Sequence, residues 1–180
     1  MKYLRRVIWY IASRLFLVCL IAGLAITVFY YAMNLSNIQI LLKDGMATRA
    51  KVIMGMESDS NQLNKYFQPA YLSTDEELLA AQNGNSSYKD YNVRGIDHRL
   101  EMGFMWTWPW DTSVRLNVTE RIPRIDGRVK GNKADEVIAQ GGANAVYPPD
   151  WPEAMYRVNM VKENGQWKIK SMTLISDGGR

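Results

Sequence analysis

A single histidine and a single cysteine in 180 residues leave little from which to build a metal centre or a nucleophilic triad. Cys19 falls inside an apolar run, so the chain beyond that run contains no thiol and no disulfide. A secreted eukaryotic domain of this size often carries disulfides, and their absence leans towards a bacterial exterior, most simply a Gram-positive one. The H-E-x-x-H, Walker A and G-x-S-x-G patterns and paired Cys/His metal spacings are all missing. Acidic residues are missing too, but only at one end, since none occurs before Asp44.

That local absence sets the topology. Lys2, Arg5, Arg6 and Arg14 precede Leu15 to Met33, "LFLVCLIAGLAITVFYYAM", which carries no charge over 19 residues. At 1.5 Å per residue the run reaches about 29 Å, enough to cross a hydrocarbon core of roughly 30 Å. Cations on its N-terminal side place that end in the cytoplasm, with Tyr30 and Tyr31 near the outer interface. A cleaved signal peptide is the rival. The run is longer than the usual apolar region of such a peptide, and Tyr30-Tyr31-Ala32-Met33 makes a poor cleavage site. The expected division is a cytoplasmic tail over 1–14, a span over 15–33 and an outer domain over 34–180. The chain has 22 Lys and Arg against 18 Asp and Glu. Setting aside the four cations before the span leaves 18 of each sign, so the outer domain has no basic excess for nucleic acid.

Beyond the span, Ile38, Leu42, Met46, Ala50, Ile53 and Met56 recur every three or four residues, the stripe of a helix with one face on a sheet. This helix either continues the span or breaks near Asn34. Gly45 weakens it by about 1 kcal/mol relative to Ala. "NQLNKYF" reads as a short helix stopped by Pro69. "STDEELLAAQNG" has a capping-box pattern with Ser73 or Thr74 as N-cap. From Tyr88 the period changes to that of strands. Val114, Leu116 and Val118 alternate with Arg115, Asn117 and Thr119. Residues 127–152, rich in Gly and Pro, read mainly as a long loop in which "KADEVIAQ" makes one or two helical turns. At the end, Tyr156, Val158 and Met160 alternate up to Asn164-Gly165, a type I′ turn signal. Trp167 and Ile169 follow, and then Met172 and Leu174 on the opposite parity, which calls for a bulge near Ser171 or two partly buried faces.

Helices first and antiparallel strands last indicate an α+β domain, its helices packed on one side of a curved sheet. A long first helix, two shorter ones and the closing hairpin Asn164-Gly165-Gln166-Trp167-Lys168-Ile169 resemble the NTF2-like, cone-shaped fold over roughly residues 36–175. With the single N-terminal span added, the layout resembles the VirB8-like subunits of conjugation and type IV secretion channels, and related channel proteins of Gram-positive conjugative elements and of sporulation. The resemblance implies a non-enzymatic scaffold with no cofactor, whose outer domain contacts other membrane-complex subunits and further copies of itself. It transfers no residue roles.

Two stretches invite chemistry. His98 neighbours Asp97, Arg99 and Glu101. A surface or edge histidine is the default, and an extracytoplasmic ligand-binding sensor or a cone-type enzyme using Asp97 and His98 as acid and base is the alternative. "MWTWPW" is the second. As a strand it places Trp106, Trp108 and Trp110 on one face. They either fill the mouth or core of the cone, the default for aromatics, or form an exposed patch meeting a partner or the membrane surface. Pro109 favours a strand end or sheet edge. "ERIPRIDGR", with Glu120 and Asp126 among arginines, reads as an ordinary solvated face.

Overall fold

The computed structural model describes residues 2–177. One helix, α1 (Lys2–Ile53), runs without interruption through the uncharged run and on into the domain. No break occurs at Asn34. The helix contains an 18-residue window of mean hydropathy 2.4, none of it buried within the chain, so it is long and apolar enough to cross a membrane. Its character changes after Met33. Ile38, Leu42, Met46, Ala50 and Ile53 are buried, as their spacing predicts, and join the main core with Leu63, Phe67, Leu116, Val158, Met160, Trp167 and Ile169.

A 3-10 turn (Ser60–Lys65) replaces the expected short helix, and α2 (Pro69–Leu72) begins at the very proline expected to stop it. Proline suits the first helical position, where its missing N–H is no loss. The chain crosses close to α1 here. A Cβ on Gly45 would lie 2.9 Å from Tyr66 Cβ and 3.3 Å from Ile169 Cδ1, so the glycine that weakens the isolated helix admits its neighbour. The third helix, α3 (Glu76–Gln82), is capped by Asp75 and not by Ser73 or Thr74. The Asp75 carboxylate accepts from the Leu78 N–H.

The strands are β1 (Tyr91–Ile96), β2 (Arg99–Met102), β3 (Ser113–Arg121), β4 (Ile125–Val129), β5 (Ala154–Glu163) and β6 (Gln166–Asp177). They form a four-stranded antiparallel sheet in the order β2-β3-β5-β6 and a two-stranded pair, β1-β4. The loop between β4 and β5 contains α4 (Ala134–Gly141), two turns long, and two short 3-10 turns. Asn164 and Gly165 both have positive φ, 50° and 81°, as a type I′ turn requires. Met160 pairs with Ile169 and Asn159 with Ser171, leaving Lys170 as the extra residue. This bulge is the parity switch expected near Ser171. On the other side of β6, Gln68 N–H donates to Ile169 C=O and Ile169 N–H to Tyr66 C=O, so the segment before α2 covers that edge. The sheet face carrying Val114, Leu116, Val118, Val158 and Met160 is buried. The whole is an α+β arrangement.

Candidate functional site

Three features stand out, and they occupy different heights along α1. Lowest, beside Met33 at the end of the apolar run, is the tryptophan loop. Residues 103–112 form no strand, so the expected one-faced array does not exist. Pro109 and Trp110 sit in a turn instead. Asp111 closes it, with the carboxylate accepting from Trp108 N–H at 2.7 Å and the Asp111 N–H donating to Trp108 C=O. The turn brings Trp108 and Trp110 into a parallel stack, centroids 5.1 Å apart, and Trp106 meets Trp108 edge-on at 5.3 Å. Trp106 packs in turn on Tyr31 of α1 at 5.3 Å. The cluster does not fill the core. Phe104, Trp106 and Trp110 are 87%, 58% and 68% exposed. Burial of the loop is confined to Met105 and Thr107, which alternate with the aromatics and root it.

About one helical turn below Ile53 lies a buried polar cluster. Arg49, on α1, forks onto Asp75: Nε to Oδ2 at 2.7 Å and Nη2 to Oδ1 at 3.0 Å. The same Nη2 reaches Glu77 at 2.7 Å, and the Tyr71 hydroxyl donates to Asp75 at 2.9 Å. Burial acts to raise the Asp75 pKa, but the Arg49 hydrogen bonds and charge outweigh it and hold the carboxyl below its ordinary range. The Tyr71 and Tyr156 phenols are pushed well above theirs, chiefly by burial. Nearby, His98 Nε2 lies 2.8 Å from Glu120 Oε1, with the two side chains 5% and 0% exposed. His98 therefore leads into the edge strand β2 but turns its side chain inward, and Glu120 does not belong to a solvated face. Asp97 points elsewhere, to Arg99 on the exposed side at 2.7 Å. Asp97 and His98 do not converge.

Highest, at the Ile53 end of α1, opens a cavity of about 380 Å³ walled by Tyr88, Trp151, Ala154, Tyr156 and Leu174, with Glu77, Asp150 and Asp177 at its polar side. Tyr88 and Trp151 stack at 6.2 Å. Burial, then the Glu77 and Asp150 charges, pushes the Tyr88 phenol up to about 12. Ala154 is the cross-strand partner of Glu120, so the His98–Glu120 pair sits one strand over from this wall. His98 Nδ1, Glu120 Oε2 and Arg49 Nη1 are buried without a hydrogen-bond partner. Among the described residues, no three His, Cys, Asp or Glu side chains converge as a metal site would require.

Sequence reasoning missed Glu120, Arg49 and the cavity. For Glu120 a signal was present: it continues the inward parity of Val114, Leu116 and Val118. Arg49 and Asp75 are 26 residues apart, and nothing local couples them. Compared with known protein families, curated proteins and solved structures, the chain finds no match.

Proposed function

We propose that the chain is a single-span membrane protein with its amino terminus in the cytoplasm, whose outer, NTF2-like domain is a non-enzymatic assembly subunit of a secretion or conjugation-type channel. One observation carries this reading. α1 passes without a break from an apolar window that nothing in the chain covers into the middle of the domain core. A domain built on the continuation of its own span is held at a fixed height above a membrane, as a scaffold needs. The helix rises about 30 Å from Met33 to Ile53, so the upper cavity faces away from the bilayer towards other subunits or a second copy.

The parting of Asp97 from His98 supports a role without catalysis. The same holds for the sealing of His98 against Glu120, which leaves that pair no open path to a substrate. The exposed Trp106, Trp108 and Trp110 supply a contact surface at the opposite end from the cavity. Crosslinking in intact cells followed by solubilisation tests the reading: ladders of the chain with itself or with other membrane subunits are expected. Monomer alone, with no crosslinked species, overturns it. Protease added to intact cells should digest the domain, and survival until lysis would reverse the orientation.

A second reading draws on the cavity itself. An apolar wall with a few polar groups is the form of a small-molecule site, and the stacked Tyr88 and Trp151 fit a flat or cationic ligand. Raised thermal stability of the full-length protein with such a compound, lost in Trp151→Ala, would favour a sensor.

A further inference from the structure

We propose that the loop 103–112 is a second membrane contact, a foot whose Trp106, Trp108 and Trp110 rings seat in the headgroup boundary of the same leaflet from which α1 emerges. The proposal rests on the spanning reading above and names the partner of the aromatic patch as lipid.

Height along α1 is the first ground. Tyr31 lies two residues before Met33, where the apolar run gives way to Asn34, and Trp106 packs on its ring at 5.3 Å. One turn later Asn34 Nδ2 donates to Trp108 C=O at 3.3 Å. The loop is therefore pinned, by a ring and by a hydrogen bond, to the turn of helix at which the bilayer must end. Any body covering these rings has to share that level with lipid. A soluble partner approaching from above meets the domain first.

Chemistry is the second ground. Indole rings combine an apolar face with a polar N–H and concentrate where hydrocarbon meets headgroups. Phe104, Trp106 and Trp110 stay exposed although the core lies next to them. Their outward placement is built in: Asp111 holds the Trp108 N–H, Asn34 holds its C=O, and Lys162 Nζ reaches Pro109 C=O at 3.5 Å. That lysine adds a cation at the edge of the loop, where lipid phosphates would lie.

The test uses the full chain carrying Trp9→Phe, which removes the indole near the other end of the span. It is reconstituted in phosphatidylcholine–phosphatidylglycerol vesicles brominated either near the headgroups or deep in the acyl chains. Shallow bromine should quench a large part of the tryptophan emission and deep bromine much less. In Trp106→Ser/Trp108→Ser/Trp110→Ser the quenched part should vanish, leaving the unquenched emission of the buried Trp151 and Trp167. Emission untouched by brominated lipid but quenched by aqueous acrylamide overturns the proposal and leaves the rings facing water or a protein. The first comparison uses no loop variant, so it stands even if the triple variant folds poorly. The vesicles contain no other subunit, so failure of the assembly reading leaves this result intact. Failure of the span shows separately, as protein that does not float with the vesicles.

Discussion

The Trp167 indole N–H donates to Asn34 Oδ1 at 2.9 Å, across 133 residues of sequence. Asn34 also holds the Trp108 carbonyl. One buried amide thus ties α1 to the final hairpin and to the tryptophan loop. Asn34→Leu improves helix propensity but leaves the buried Trp167 indole donor unpaired, while the Trp108 carbonyl keeps the Asp111 N–H. A loss of about 1–3 kcal/mol is expected, read as a lower midpoint of thermal unfolding in detergent. Trp167→Phe should cost less in this background than in the native chain, because the bond is already gone and only its packing loss remains.

Arg49 and Asp75 form a buried bidentate pair, and removing one partner strands the other. Arg49→Met is expected to destabilise the domain by about 3–5 kcal/mol. The double variant Arg49→Met/Asp75→Leu should recover part of that loss. Denaturation midpoints of the three proteins decide between these outcomes.

The same pair sets a pH dependence. The Asp75 carboxyl is held below its ordinary value in the fold. Its contribution is therefore fully present above the unfolded pKa of about 3.9 and is lost as pH falls through the lower folded value. Stability measured from neutral to acid pH should decline in that range, and Asp75→Asn should flatten this part of the profile while lowering stability at neutral pH.

Glu120 and Asp97 should behave in opposite ways. Glu120→Ala leaves His98 Nε2 without its partner in a closed site, and a cost of about 1–3 kcal/mol is expected. Asp97→Ala, on the exposed side, should leave stability nearly unchanged. A cell-based assay of complex assembly should follow the same order, since neither residue touches the outer surface patch. Loss of function in Asp97→Ala at unchanged stability would revive a chemical role.

Gly45→Ala pits two effects against each other. Alanine favours the helix by about 1 kcal/mol, but its Cβ would stand 2.9 Å from Tyr66 Cβ, too close without moving the 3-10 turn. Overpacking of this kind costs about 1–3 kcal/mol, so a net loss of stability is expected. Tyr66→Ala should relieve the crowding in the double variant.

What was legible in the sequence was periodic or local. The long apolar run, the Ile38 to Ile53 stripe, the Asn164-Gly165 turn and the bulge beside Ser171 all announce themselves within a few residues. The tryptophan loop misled because alternation of Trp with other residues imitates a strand, while Pro109 and Asp111 bend the chain into a turn. The N-cap of α3 moved to Asp75, where Arg49 supplies a second reason for the carboxylate to be placed. Inward-facing Glu120 was hidden by the charged residues after it, and its partner His98 by a separation of 22 positions. Pairings between distant polar side chains have no period, so hydrophobic patterning does not reveal them.

On the spanning reading proposed above, an unbroken α1 makes the molecule a lever. Membrane-spanning helices lean by about 20° on average. Over the roughly 30 Å between Met33 and Ile53, such a lean displaces the upper mouth sideways by about 10 Å. Bilayer thickness, acting only on the buried end, would then steer where the cavity points.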